Sequence, residues 1–154
     1  VPENKVVITD SSCFILLYKI DAISILHDLF ELVLTTHEVA IEFGFPLPEW
    51  VIIQPVNNKS LKEELNEHVD LGEASAIALA YEVKSDYLIL DDLEARKFAR
   101  KLGFNIKGTL GILLDAKSKG VIQQLKPYLD LVQQTDFRFT EQLIKFFLKE
   151  ANEE

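Results

Sequence analysis

The chain has 154 residues and is 48% hydrophobic, 27% charged and 10% aromatic, an ordinary globular composition that predicts a single domain over residues 1–154. Its one cysteine, Cys13, excludes an internal disulfide framework, and no apolar run approaches the ~20 residues of a membrane-spanning helix. A net charge of -9 argues against a uniformly basic nucleic-acid surface, and the opening Val1-Pro2-Glu3-Asn4-Lys5 lacks the apolar stretch of a secretory signal, so a cytoplasmic location is expected.

Lys5 to Thr9 (KVVIT) is a β-branched run, hence a strand, ending at Asp10-Ser11-Ser12, a group of helix N-cap residues. Phe14 to Leu29, apolar with polar breaks at Lys19, Asp21 and Asp28, predicts one or two helices. Leu32 to Leu34 reads as a buried strand, and Thr35 and Glu38 are spaced as a capping box for a helix to about Phe43. Gly44, Pro46 and Pro48 mark a loop, and Val51 to Val56 is a short or edge strand because Pro55 interrupts it. Asn57 to His68 is a polar amphipathic helix. Asp70-Leu71-Gly72-Glu73 then opens a helical segment from Ala74 to Val83, whose alanines at 74, 76, 78 and 80 predict close packing against a sheet. Tyr87 to Leu90 is a strand ending at Asp91-Asp92, Glu94 to Leu102 a helix stopped by Gly103, and Phe104 to Ile106 a last short strand. Helices over Leu110–Ser118, Gln123–Gln133 and Glu141–Lys149 follow, with a frayed tail at about residues 150–154. Short apolar strands alternating with helices give an α/β fold with a parallel sheet.

The acids fall where such a fold binds ligands. In open α/β sheets the loops beyond the carboxyl ends of the strands converge on a crevice, and Asp10 and Asp91-Asp92 both end strands. If those strands are neighbours, Asp10 and Asp92 face one cavity, and the helices bearing Glu42 and Glu73 can lean towards it. Clustered carboxylates raise each other's pKa values, and a divalent cation holds them ionised. Oxygen-only ligation favours Mg²⁺ or Mn²⁺ over zinc. Each acid also has a structural reading. Asp10 can simply cap the following helix, Glu73 fits a capping box with Asp70, Asp91 fits one with Glu94, and Glu42 can be a solvent-facing helix residue. His27, His37 and His68 have no ligand spacing, and Walker and dinucleotide glycine patterns are absent. Eight of the 16 basic residues lie between Arg96 and Lys126, against one acid there, Asp115. They form a basic sector in an acidic protein, read as either a solvated face or a phosphate-binding one.

The segments Asp10-Ser11-Ser12, Val39-Ala40-Ile41-Glu42, Gly72-Glu73-Ala74 and Leu90-Asp91-Asp92-Leu93, with Gly108 to Leu113, together resemble the PIN domain family, and within it a subfamily related to ribonuclease toxins. The resemblance covers about Val6 to Leu148. It implies a three-layer fold with a central parallel sheet flanked by helices and a metal-dependent endoribonuclease acting on single-stranded RNA. Residue by residue, the family's metal-binding acids match Asp10, Glu42, Glu73 and Asp92, with Asp91 as a further ligand and Ser11 as the hydroxyl after the first Asp. The Asp92 match follows the spacing to Ala99 and Gly103. Arg96, Arg100 and Lys107 are then expected to position the RNA backbone. Many relatives are toxins paired with an antitoxin protein and form homodimers, which makes both expected partners here. One departure motivates an alternative, a catalytically weak or inactive RNA- or protein-binding module: many active members carry a further Asp or Asn soon after the strand-end Asp, where this chain has at most Glu94.

Overall fold

The computed structural model describes residues 3–154; Val1 and Pro2, part of the opening read for a secretory signal, lie outside them. The β-branched run becomes β1 (Glu3–Thr9), followed by α1 (Ser11–Lys19) and α2 (Ser24–Leu29), separated by a turn in which Asp21 takes a left-handed backbone. Then come β2 (Phe30–Thr35), α3 (His37–Phe43), β3 (Val51–Ile53), α4 (Lys59–Leu65) and α5 (Leu71–Glu82). β4 (Tyr87–Ile89), α6 (Leu93–Lys101), β5 (Ile106–Lys107), α7 (Thr109–Ser118), α8 (Lys126–Gln133) and α9 (Glu141–Glu150) complete the order. No helix among the described residues is long and apolar enough to cross a membrane.

The five strands form one parallel sheet in the order β3-β2-β1-β4-β5. The expected α/β fold with a parallel sheet flanked by helices is therefore present. Both faces are covered, so successive strand residues feed opposite cores. Val7, Val33 and Ile89 join the side chains of α1, α2, α7 and α8 on one face. Ile8, Leu34 and Leu88 meet α5 and α6 on the other. Ala74, Ala76 and Ala78 are fully buried there, as expected of residues that let a helix backbone lie close to a sheet. The chain builds outward from β1 in one direction through β2 and β3, then resumes on its other side with β4 and β5. The switch point of the sheet thus falls between β1 and β4, where their carboxyl ends open a crevice.

Three local expectations are corrected. Thr36, not Thr35, caps α3, its hydroxyl accepting from the Val39 amide at 3.1 Å. Thr35 is a strand residue whose hydroxyl donates to the Thr9 carbonyl at 2.7 Å, and Glu38 pairs with Lys62. The Asp91–Glu94 capping box does not form either: Asp92 caps α6, accepting from the Ala95 amide at 3.0 Å. The tail is tied down. Ala151 is buried, and the Glu153 carboxylate accepts from the Leu125 and Lys126 amides at 2.6 and 2.9 Å and from the Lys117 ammonium at 2.6 Å. Those partners lie some thirty residues upstream, out of reach of any local reading.

Candidate functional site

Asp10 follows the last residue of β1 and is the N-cap of α1 by position, yet its side chain makes no capping hydrogen bond. It is 3% exposed, and its Oδ1 is a buried oxygen with no hydrogen-bond partner. Such an atom costs free energy unless something pairs with it. Burial pushes its pKa up to about 8; the Ser11 amide opposes this, while the nearby charges of Glu73, Asp70 and Glu42 add to it. The backbone beneath it is fixed on both sides, by the Asp10 amide donating to the Ile89 carbonyl at 3.2 Å and by the Thr35 hydroxyl on the Thr9 carbonyl.

Glu42, on α3, is exposed, and its Oε1 accepts a hydrogen bond from the buried Ser11 hydroxyl. Its other oxygen turns towards Gly72. A methyl group at Gly72 would stand 3.1 Å from Glu42 Oε2 and 3.4 Å from Asp10 Oδ1, so glycine leaves clear a point that both carboxylates face. α3 and α5 are pinned together beside that point. The Thr36 and Ser75 hydroxyls are 2.7 Å apart, and Ser75 donates to the Gly72 carbonyl at 2.7 Å.

Glu73 is buried in the first turn of α5 and forms the capping box with Asp70 that its spacing suggested, accepting from the Asp70 amide at 3.2 Å. Burial first, then the charge of Asp70 and more weakly that of Asp92, push its pKa up to about 7. Asp92 is exposed and gives one oxygen to the α6 cap. Asp91 is fully engaged: Oδ1 accepts from the Thr109 amide at 2.8 Å and Oδ2 from the Thr109 hydroxyl at 2.6 Å. It therefore closes the N-terminal turn of α7 from outside.

Among the described residues, no three His, Cys, Asp or Glu side chains gather closely enough to hold a metal ion as they stand. Mutual repulsion supplies a physical reason, since Glu73, Asp92 and Asp91 have each turned an oxygen to a backbone amide. The donor chemistry nevertheless suits a hard cation. The set is all oxygen, Asp10 keeps an unpartnered buried oxygen, and Gly72 leaves the ground between Asp10 and Glu42 clear.

Of the basic residues, Lys107 is paired with Asp115 and lies over the Tyr87 ring at 4.5 Å, and Lys117 and Lys126 are paired with Glu153 and Asp130. Arg100 is exposed and has no ion pair among the described residues. Arg96 is half-buried, its guanidinium against Gly108, and its Nε is buried without a hydrogen-bond partner. Burial, then the charge of Arg100, lower its pKa, while Asp91 opposes them.

The positioning roles of Thr36, Ser75, Gly72 and Thr109 were not legible beforehand. Only the Gly-Glu-Ala and Gly-Thr-Leu-Gly patterns marked where two of them, Gly72 and Thr109, lie. The sequence model of the family DUF3368, described as a PIN domain, matches residues 6–153. No curated protein and no solved structure matches the chain.

Proposed function

Since the chain belongs to the PIN domain family, we propose that it is a metal-dependent endoribonuclease hydrolysing phosphodiester bonds of single-stranded RNA. The observation that carries this reading is Asp10, a buried carboxylate whose free oxygen faces the same point as Glu42 beside a glycine. Asp10 and Glu42 would hold Mg²⁺ or Mn²⁺, with Glu73 and Asp92 turning from their caps to complete the set. A hard divalent cation supplies positive charge against the phosphodiester and acidifies water.

The protein's own groups do the rest. The Ser11 hydroxyl orients Glu42. The Thr36–Ser75 contact holds α3 against α5, and so fixes Glu42 relative to Gly72. Arg96 and Arg100 take backbone phosphates, and Lys107 contributes only if it leaves Asp115. Asp91 as a direct ligand would forfeit two hydrogen bonds to Thr109, so we assign it to bracing the Gly108–Thr109 turn.

The absence of three gathered ligands among the described residues favours one second reading, a weak or inactive PIN-like module that binds RNA or protein. As a nuclease the chain would act in the cytoplasm. Its role as a toxin, with an antitoxin protein partner and a homodimeric state, extends the same family reading. Static light scattering and co-expression with a neighbouring acidic or basic small protein would test those two partners.

The deciding experiment incubates the protein with single-stranded RNA in Mn²⁺, with EDTA and the Asp10→Asn/Asp92→Asn double variant as controls. Cleavage that requires both the ion and the two aspartates supports the nuclease. Folded protein that cuts no RNA, or cuts equally well without those aspartates, overturns it.

A further inference from the structure

Asp91 and Leu93, the chain neighbours of Asp92, also line a cavity of about 650 Å³ between α6, α7 and α9. A cavity of this size falls in the range of small-ligand sites. Its walls are mainly apolar, with Leu110 and Leu114 from α7 and Phe146 and Phe147 from α9. Leu110 belongs to the core, and Leu114 and Phe147 pack partly against it, but α9 contributes no fully buried residue and Phe146 and Leu93 are 53% and 67% exposed, so part of this apolar surface stays outside the core.

The polar groups in the wall are mostly spent. Lys107 is paired with Asp115, and both Asp91 oxygens accept hydrogen bonds from Thr109. Arg96 is the exception: its side chain makes no ion pair among the described residues, although the Asp91 carboxylate lies near enough to act on it, and its Nε is buried without a hydrogen-bond partner. An occupant should therefore bring an anionic group to Arg96 and an apolar, flat body to the Leu and Phe walls. A nucleotide has that chemistry, its phosphate carrying the charge and its base stacking on aromatic and aliphatic surfaces. An acidic amphipathic peptide shares part of it. Continuity with the strand-end acids favours the nucleotide, because Asp91 and Leu93, on either side of Asp92 in the chain, are themselves part of the cavity wall.

We propose that this cavity is a base-binding subsite, receiving one nucleotide next to the scissile phosphate of single-stranded RNA, with that nucleotide's phosphate on Arg96. The proposal rests on the nuclease reading for its substrate, and it adds a site that favours strands carrying bases over the bare sugar–phosphate chain.

Gly111 supplies the test. It lines the cavity, and a Cβ built on it meets no atom within 4 Å, so the side chain of Gly111→Leu starts into open space. The probes are fluorescein-labelled oligouridylate, oligoadenylate and an abasic oligoribophosphate of equal length, titrated in EDTA and followed by anisotropy. The wild type should bind the strands with bases roughly tenfold more tightly than the abasic strand, the scale of one stacked base. Gly111→Leu should bring that ratio close to one while leaving abasic binding as it was and Tm no lower, since leucine suits a helix interior better than glycine. Arg96→Gln should weaken all three strands alike and lower the salt dependence by about one counterion. A ratio that Gly111→Leu leaves unchanged, or no preference for bases in the wild type, overturns the subsite. RNA that is cut in Mn²⁺ but shows such an unchanged ratio sinks the subsite alone. Base-dependent binding abolished by Gly111→Leu, with no cleavage under any condition, supports the subsite and sinks the nuclease alone.

Discussion

Asp10 and Asp91 occupy the same kind of place, just past the carboxyl end of adjacent parallel strands, and the fold treats them in opposite ways. Asp91 has both oxygens satisfied by Thr109, and its pairing serves the start of α7. Asp10 is more deeply buried, keeps an oxygen without a partner, and is held near the charges of Glu73, Asp70 and Glu42. A carboxylate that makes its own local bonds contributes to stability; one that is buried without them is held at a cost that a bound cation can offset. The contrast separates a bracing residue from one whose free oxygen is available to the proposed cation, although the two share one sequence signature.

The largest expected effects come from reversing that contrast at Asp10. Asp10→Asn should lower Mn²⁺-dependent RNA cleavage by about 10³-fold, the scale of losing a group that stabilises transition-state charge. It should also make the metal-free protein more stable. The folded pKa of about 8 lies above the unfolded value of 3.8, so the fold prefers the protonated form. Stability linked to this group is complete below pH 3.8 and declines as pH rises towards about 8. Asn removes the decline, and thermal unfolding in EDTA at pH 8 should show a gain of about 5 °C that vanishes near pH 4. In the wild type, saturating Mn²⁺ should recover a comparable gain, and the variant should not respond. A destabilised Asp10→Asn protein at pH 8 would place Asp10 with Asp91 as a structural residue and dissolve the contrast.

Asp91→Ala should move stability the other way. It strips the Thr109 amide and hydroxyl of their acceptor, a loss of about 1–2 kcal/mol, or about 5 °C in Tm. Its Mn²⁺-induced stabilisation should survive, because Asp10 and Glu42 are untouched. Isothermal titration with Mn²⁺ checks this, and a variant that no longer binds the ion would restore Asp91 as a ligand.

A smaller effect is expected from Gly72→Ala. The added methyl meets Glu42 Oε2 at 3.1 Å and Asp10 Oδ1 at 3.4 Å, while alanine suits the first turn of a helix. Mn²⁺ affinity should fall by about tenfold, as for supporting residues of metal sites, with Tm nearly unchanged. Equal affinity in the variant would show that the ion does not use the ground between those carboxylates.

How much of this was legible beforehand follows from how local each feature is. β1 and Asp10 were readable because a β-branched run and its capping residues are contiguous. The alanine-rich face of α5 was readable because helical burial leaves a compositional trace. Neighbouring identical residues defeated the spacing rules. Thr35 and Thr36 exchange roles, as do Asp91 and Asp92, because the next residue is of the same capping type and caps alone, with Val39 or Ala95 rather than a glutamate three residues on. The pinned tail and the α6–α7–α9 cavity were out of reach, since each joins segments distant in sequence through contacts no local pattern encodes. Among the acids, sequence named the candidates, but which one lacks a partner is a property of packing.

Glu73 gives the smallest and most discriminating test, because it combines both fates, capping α5 like a structural acid while keeping a pKa raised to about 7 by burial and by Asp70. Glu73→Gln preserves the capping geometry, since glutamine offers the same acceptor at that position, but removes the titration. The wild type should lose stability as pH climbs from its ordinary value of 4.5 towards about 7, and the variant should not. The two should therefore match near pH 4 and differ by about 1 kcal/mol near pH 8, a figure discounted for solvent reaching the pair. Were the difference instead constant across pH, the cap alone would account for Glu73, and Asp10 would stand as the one acid held in the fold against its own preference. A difference that grows with pH and disappears on adding Mn²⁺ would join Glu73 to Asp10 in a single electrostatic unit.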